Sequence, residues 1–294
     1  MDLSSYLHEK KIVVENALKE IASSFQGSPT VLRDAMEYML FSNGKRIRPI
    51  LAITACEAKG RNSDALLPFA CAVEMIHTYS LIHDDLPSID NDEMRRGRLT
   101  CHKVFGDATA LLAGDALLTE AFRVMADNRY TDGINPKIGR QLIFEVASAA
   151  GALGMVGGQV MDVLSEGIQG TKDILNFIHT HKTTALIRAS VRVGAIFAGA
   201  KIRELRKLTK YGECVGLAFQ VKDDLLDAEG DEATVGIRLK KDSNKQTYIK
   251  HYGPKASRIR LDRLVDEAVQ ATQFLGDQST RLAEIARFIG SRDV

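Results

Sequence analysis

The stretch AVEMIHTYSLIHDDLP, residues 72–87, decides the fold. It reads as a helix with an apolar face, since its apolar residues recur at three-to-four spacing rather than alternating. It finishes in Asp84-Asp85, and Pro87 opposes its continuation. The chain can then turn so that Asp90 comes back beside the pair. Carboxylates this close repel one another, so an apolar helix that ends in them asks for a cation.

The same period runs through the rest of the chain. Leu3, Leu7, Val14, Leu18 and Ile21 fall on one helix face. Ser28-Pro29 reads as a cap followed by a first-turn proline, opening a helix that runs to about Ser42. Pro49 opens another helix that closes near Gly60, and a long one runs from about Asp64 to Asp85. Further helices are expected over roughly 107–128, 135–149, 154–165, 171–181, 183–199, 202–227, 254–274 and 277–289. No run of alternating β-branched residues reads as a strand. Abundant Ala and Leu with few prolines fit an all-α protein. No linker, repeat or low-complexity tract divides it, so residues 1–294 read as one helical domain.

Composition narrows the class. Lys plus Arg number 39 and Asp plus Glu 38, so net charge is near zero and a broad nucleic-acid-binding face is not expected. The four cysteines, Cys56, Cys71, Cys101 and Cys214, show no CxxC spacing and read as buried, reduced thiols of a cytoplasmic protein. The N-terminus is interrupted by charge throughout and is no signal peptide. The longest apolar stretch, Ala185 to Ala200, carries Arg188 and Arg192. It therefore reads as a buried helix with both arginines on one face, not as a transmembrane segment.

A second acidic cluster, FQVKDDLLDAEGD at residues 219–231, ends another helix with apolar flanks. Asp223 and Asp227 lie four apart, and Asp224 and Asp227 three apart, so they share a face. Buried carboxylates need a cation. All-oxygen donors suit Mg²⁺, which is typically shared with a substrate phosphate. Cations gather in step: Lys45, Arg46 and Arg48 in NGKRIRP; Arg95, Arg96 and Arg98 in MRRGR; Lys182 beside Thr183 in HKTT; Arg238, Lys240 and Lys241 in IRLKKD. Guanidinium forks match phosphate oxygens, and lysine adds a point charge. Two carboxylate clusters with this many cations describe a place for metal-bound diphosphates. No GxxxxGK[ST] or GxGxxG motif supports a nucleotide instead.

GKRIRP, DDLPSID, RRGR, HKT, FQ and DDLLD, in this order, resemble the trans-prenyltransferase (polyprenyl diphosphate synthase) family over about Gly44 to Tyr248. The resemblance is greatest to its bacterial farnesyl diphosphate-forming members. It implies an all-α bundle around a central cavity, with the two aspartate motifs facing each other across its mouth. It implies three Mg²⁺ on Asp84, Asp85 and Asp90 on one side and Asp223, Asp224 and Asp227 on the other. Arg95, Lys182, Thr183, Gln220 and Lys241 would touch the allylic diphosphate. Lys45, Arg46 or Arg48, His77 and Arg96 would hold isopentenyl diphosphate. A homodimer is also implied.

Tyr79, five residues before Asp84, lies about 7.5 Å below the carboxylates along the helix. In the resembled family an aromatic residue at that place, with DDxxxxD spacing, goes with a fifteen-carbon product; a twenty-carbon product is the alternative. The family's usual Gly-Lys after the second motif is Gly236-Ile237 here, which keeps open a noncatalytic subunit of a heteromeric synthase. A terpene cyclase would share the aspartates but would not need the cations of GKRIRP and RRGR.

Overall fold

The computed structural model describes residues 2–168, 170–229 and 245–292. The fold is all-α, and the chain forms two compact units. The first comprises Met1–Ile53 and Ser63–Ile143, the second Thr54–Asn62 and Phe144–Val294.

The first unit begins with α1 (Leu3–Ser23), whose Asp2 side chain accepts the Ser5 N–H as an N-cap. Val14, Leu18 and Ile21 of its expected face are buried, while Leu3 and Leu7 are partly exposed. Helix α2 (Thr30–Leu40) starts later than the Ser28-Pro29 reading, with Pro29 at its N-cap. The Ser28 hydroxyl is turned back onto the Phe25 carbonyl and so caps nothing downstream. Helix α3 (Ile47–Glu57) begins two residues before Pro49, which sits in its first turn, where its missing N–H costs nothing. A short 3₁₀ turn, Asp64–Leu66, leads into α4 (Leu67–Asp84).

After α4 come a two-residue hairpin, β1 (Met94–Arg95) against β2 (Arg98–Leu99), and the short α5 (Cys101–Phe105). Then follow α6 (Asp107–Ala126), the one-turn α7 (Asn128–Thr131) and α8 (Pro136–Ala150). Helix α4 packs along α6, with α1 and α2 against this pair. Gly114 of α6 makes the approach possible, because a Cβ there would lie 2.1 Å from the His83 ring.

In the second unit α9 (Met155–Leu164) and α10 (Lys172–Ile178) lead into a π-helical segment, His179–Thr184, and α11 (Ala185–Phe197). Then come α12 (Ile202–Glu229), α13 (Tyr248–Thr272), a 3₁₀ stretch Gln273–Ser279, and α14 (Thr280–Ser291). Within α13 Gly253, at φ 76°, is non-helical, so a short turn from Tyr248 precedes the helix expected from 254, which opens at Pro254. Helix α12 is the centre of this unit, packed against α11, α13 and the π segment. The arginines of α11 do share a face. Arg192 forks onto Glu145 at 2.5 and 2.7 Å, and Arg188 reaches Glu213 at 3.5 Å.

All four cysteines are free and buried. Burial pushes the Cys56 and Cys214 thiols up to about 11, so they are not nucleophiles at neutral pH. Among the described residues, two stretches could cross a membrane by length and composition, Asp64–Asp84 and Pro136–Leu164. The first is essentially α4, a core helix whose apolar window is 67% buried. The second is two helices, α8 and α9, broken over residues 151–154.

Candidate active site

In the first unit the chain returns on itself as its sequence requires. The Asp90 N–H donates to the Asp84 carbonyl at 2.9 Å, closing the turn that brings Asp90 back beside Asp84. Asp85 is fully buried and takes the fork of Arg95, with Nε at 2.8 and 2.9 Å from its two oxygens and an Nη at 2.7 Å. Burial pushes the Asp85 carboxyl up from its ordinary value, against the lowering pull of Arg95. The β1–β2 hairpin delivers this arginine. Arg96 (φ 54°) and Gly97 (φ 78°) form the turn, and Arg95 pairs with Arg98 across it. Two successive positive-φ residues give the twist a two-residue hairpin needs.

The loop of NGKRIRP separates its three cations. Arg46 adopts φ 53° and is buried, donating to Glu74 at 2.8 Å and to the Leu40 and Ser42 carbonyls. Glu74, on the apolar α4, is only 2% exposed. Lys45 is exposed and Arg48 half-buried. Arg96 donates to the Ser42 hydroxyl at 3.0 Å and lies over Gly44, where a Cβ would meet its guanidinium at 2.7 Å. His77 is held neutral, its pKa well below the usual value because of burial and the fields of Arg48, Arg96, Arg95 and Arg46. So Arg48, Arg95, Arg96 and His77 gather in one positively charged region of the unit that carries the first aspartate motif.

In the second unit one hydrogen-bonded chain links three of the expected residues. The Thr183 hydroxyl donates to Gln220 Oε1 at 2.8 Å, and Gln220 Nε2 donates to Asp224 at 3.1 Å. Asp224, buried, also accepts the Tyr248 backbone N–H at 2.6 Å. Asp223 is met by the Arg292 guanidinium, which also lies over the Phe219 ring. Lys182 does not join the Thr183–Gln220–Asp224 chain; its ammonium donates to Asp162 at 2.6 Å. His179 stands beside this group, 3.9 Å from Asp224, with its pKa pushed down to about 3 by burial and by Lys182. Lys241, with Arg238, Lys240 and the Gly236-Ile237 pair, lies outside the described residues.

Sequence reasoning missed Asp162, Gln159, Glu74 and the Tyr248 amide. The first three carried a signal: each is a polar residue on an otherwise apolar helix. Gln159 and Asp162 lie three apart, hence on one face of α9. The buried Gln159 amide nitrogen has no hydrogen-bond partner among the described residues. The Tyr248 amide carried none, because it acts through backbone.

Among the described residues no group of three His, Cys, Asp or Glu is set for a metal ion. The donors fit Mg²⁺ in kind, being oxygen throughout. Guanidinium groups already meet the Asp85 and Asp223 carboxylates, so both motifs are built to face positive charge.

The family model "Polyprenyl synthetase" matches residues 29–271. The geranylgeranyl diphosphate synthase of Cyanophora paradoxa is 42% identical over 99% of this chain and 97% of its own. The farnesyl diphosphate synthase of Geobacillus stearothermophilus is also 42% identical, over 100% of this chain and 99% of its own. Among solved structures, a geranyltransferase from Legionella pneumophila superposes with a TM-score of 0.88 at 29% identity, covering 99% of this chain and 97% of that one. An all-α fold with two aspartate motifs, each beside its own cations, is that of a prenyltransferase of the short-chain, trans class. The chain belongs to the polyprenyl synthetase family.

Proposed function

We propose that this protein condenses isopentenyl diphosphate with the allylic diphosphates dimethylallyl and geranyl diphosphate, releasing diphosphate and forming mainly farnesyl diphosphate. Residues 1–294 would act as one synthase domain, in a cytoplasmic homodimer. The observation that carries this reading is the gathering of Arg48 and Arg96 around His77, in the unit of the first aspartate motif and apart from the Arg95 that forks onto Asp85. A cyclase handles one diphosphate and has no use for this second group of cations.

Asp84, Asp85 and Asp90 in the first unit, and Asp223, Asp224 and Asp227 in the second, would hold three Mg²⁺. Bound there, the metal neutralises the charge that develops on the departing diphosphate. Arg95, Lys182, Thr183, Gln220 and Lys241 would bind that same group. Arg95 and Lys182 each keep N–H donors beyond those their carboxylate partners take. Lys45, Arg48, His77 and Arg96 would hold isopentenyl diphosphate. Arg46, buried on Glu74, would serve that site by fixing the loop between Lys45 and Arg48.

The reaction breaks the allylic C–O bond, and the electron pair leaves with the diphosphate. The π electrons of isopentenyl diphosphate then form the new C–C bond with the allylic cation. A proton is lost to the released diphosphate and regenerates an allylic double bond. No protein nucleophile is required. The chain's work is to orient two substrates and keep water from the cation.

Farnesyl diphosphate is favoured by Tyr79, 5% exposed and five residues before Asp84 on the same helix. A twenty-carbon product is the second reading, since geranylgeranyl and farnesyl synthases are equally similar to this chain. The test is incubation with Mg²⁺, isopentenyl diphosphate and geranyl diphosphate, with products resolved by length. Farnesyl diphosphate is expected, and Asp84→Ala should reduce turnover at least ~100-fold, as loss of a charge-stabilising group does. Turnover of geranyl diphosphate without isopentenyl diphosphate would overturn the reading in favour of a cyclase. A folded, inert wild type would point to a noncatalytic subunit.

A further inference from the structure

Lys182 is fixed at two points by a single helix. Its backbone lies against Gly158 of α9, where a Cβ would stand 2.1 Å from the Lys182 nitrogen. Its ammonium donates to Asp162, one turn further along α9, at 2.6 Å. Asp162 is 5% exposed, and Lys182 is the cation that answers its buried charge. The lysine itself belongs to the π-helical segment His179–Thr184. A π turn inserts an extra residue and re-aims the side chains around it, and such turns gather at functional sites. The next residue, Thr183, is tied to Gln220 and through it to Asp224 of the second aspartate motif. Lysine is a flexible point charge with three donors. Asp162 takes one and leaves two for an anion.

We propose that Asp162 is a positioning residue: it aims the Lys182 ammonium at the diphosphate of the allylic substrate. This rests on the prenyltransferase reading above. The pair carries no net charge, so Asp162 adds direction and not attraction. That gives the proposal a distinctive sign. Removing the carboxylate charge should leave affinity for a diphosphate undiminished, or raise it, while slowing the chemical step that depends on where the ammonium points.

The experiment compares wild type, Asp162→Asn, Lys182→Met and the double variant. It measures kcat and KM with geranyl diphosphate, and Kd for inorganic diphosphate with Mg²⁺. Asp162→Asn should lower kcat by roughly 10- to 100-fold, the scale of a catalytic group misplaced by about an ångström. Its Kd for diphosphate should not weaken. Lys182→Met should weaken Kd, and adding Asp162→Asn to it should cost little more, because the two act as one unit. Asp162→Glu, which keeps the charge on a longer arm, should fall between wild type and Asp162→Asn.

Parallel loss of kcat, diphosphate affinity and melting temperature in Asp162→Asn would overturn the proposal and leave Asp162 a structural partner. So would an undiminished effect of Asp162→Asn in the Lys182→Met background. If wild type binds diphosphate through Lys182 but turns nothing over, the prenyltransferase reading fails. The pairing is then judged on the binding constants alone, and a Kd weakened by Asp162→Asn overturns it.

Discussion

At the scale of the residue, Tyr79 separates product length from catalysis. Its ring is buried and meets His83 edge-on at a centroid distance of 5.5 Å. Burial, helped by the Asp84 charge, pushes its phenol up to about 12, so it stays neutral at working pH. Tyr79→Ala should shift the product from farnesyl diphosphate by at least one isoprene unit while preserving turnover of geranyl diphosphate. An unchanged product distribution, from protein still folded at the assay temperature, would place the limit on chain length elsewhere. The same scale shows where sequence reading stops. Lys45, Arg46 and Arg48 look interchangeable as letters. Only the left-handed backbone at Arg46 and its buried bond to Glu74 distinguish a loop-fixing arginine from its neighbours.

At the scale of the element, helix type and order were readable because apolar period, turn glycines and prolines agree along the chain. What escaped was local and set by packing. The β1–β2 hairpin is only two residues a side, too short for any alternating pattern to show. The sequence predicts a helix break at residue 182, between 171–181 and 183–199, where the structure instead runs on through a π segment, His179–Thr184, rich in the weak helix formers Thr and His. Neighbouring helices come very close to it. Gly158 abuts the Lys182 backbone, and a Cβ on Gly216 would lie 2.8 Å from Thr184. Gly158→Ala should therefore destabilise the protein by about 1–3 kcal/mol, the usual cost of overpacking, and lower turnover by displacing Lys182. Gly139→Ala is the counterpart. It lies within α8, with nothing inside 4 Å of an added Cβ. There alanine should stabilise by about 0.5–1 kcal/mol through helix propensity alone. Urea unfolding of both variants checks this; equal effects would mean that the α9 contact is not tight in solution.

At the scale of the whole molecule, each unit carries a histidine kept neutral, His77 in the first and His179 in the second, while burial lowers the pKa of His251 in the second as well. His77 and His179 sit near residues that the acidic and basic motifs made conspicuous, yet their protonation was not legible in the sequence. It depends on burial and on arginines and a lysine brought in from other elements. The consequence is a dependence of stability on pH with a definite sign. A histidine whose folded pKa is depressed binds fewer protons folded than unfolded, so its penalty is absent above the unfolded pKa near 6.5 and grows as pH falls below it. For His179 that penalty accumulates down to its folded value of about 3. At pH 5.5 His179 should cost on the order of 1 kcal/mol relative to pH 7.5, and His77 should act with the same sign. Denaturant midpoints at the two pH values should show wild type losing stability on acidification. His77→Gln and His179→Gln should each lose less, whatever their stability at pH 7.5, because glutamine takes up no proton on unfolding. Losses identical to wild type in both variants would show that these histidines titrate alike in the folded and unfolded chains, and that the acid sensitivity has another origin.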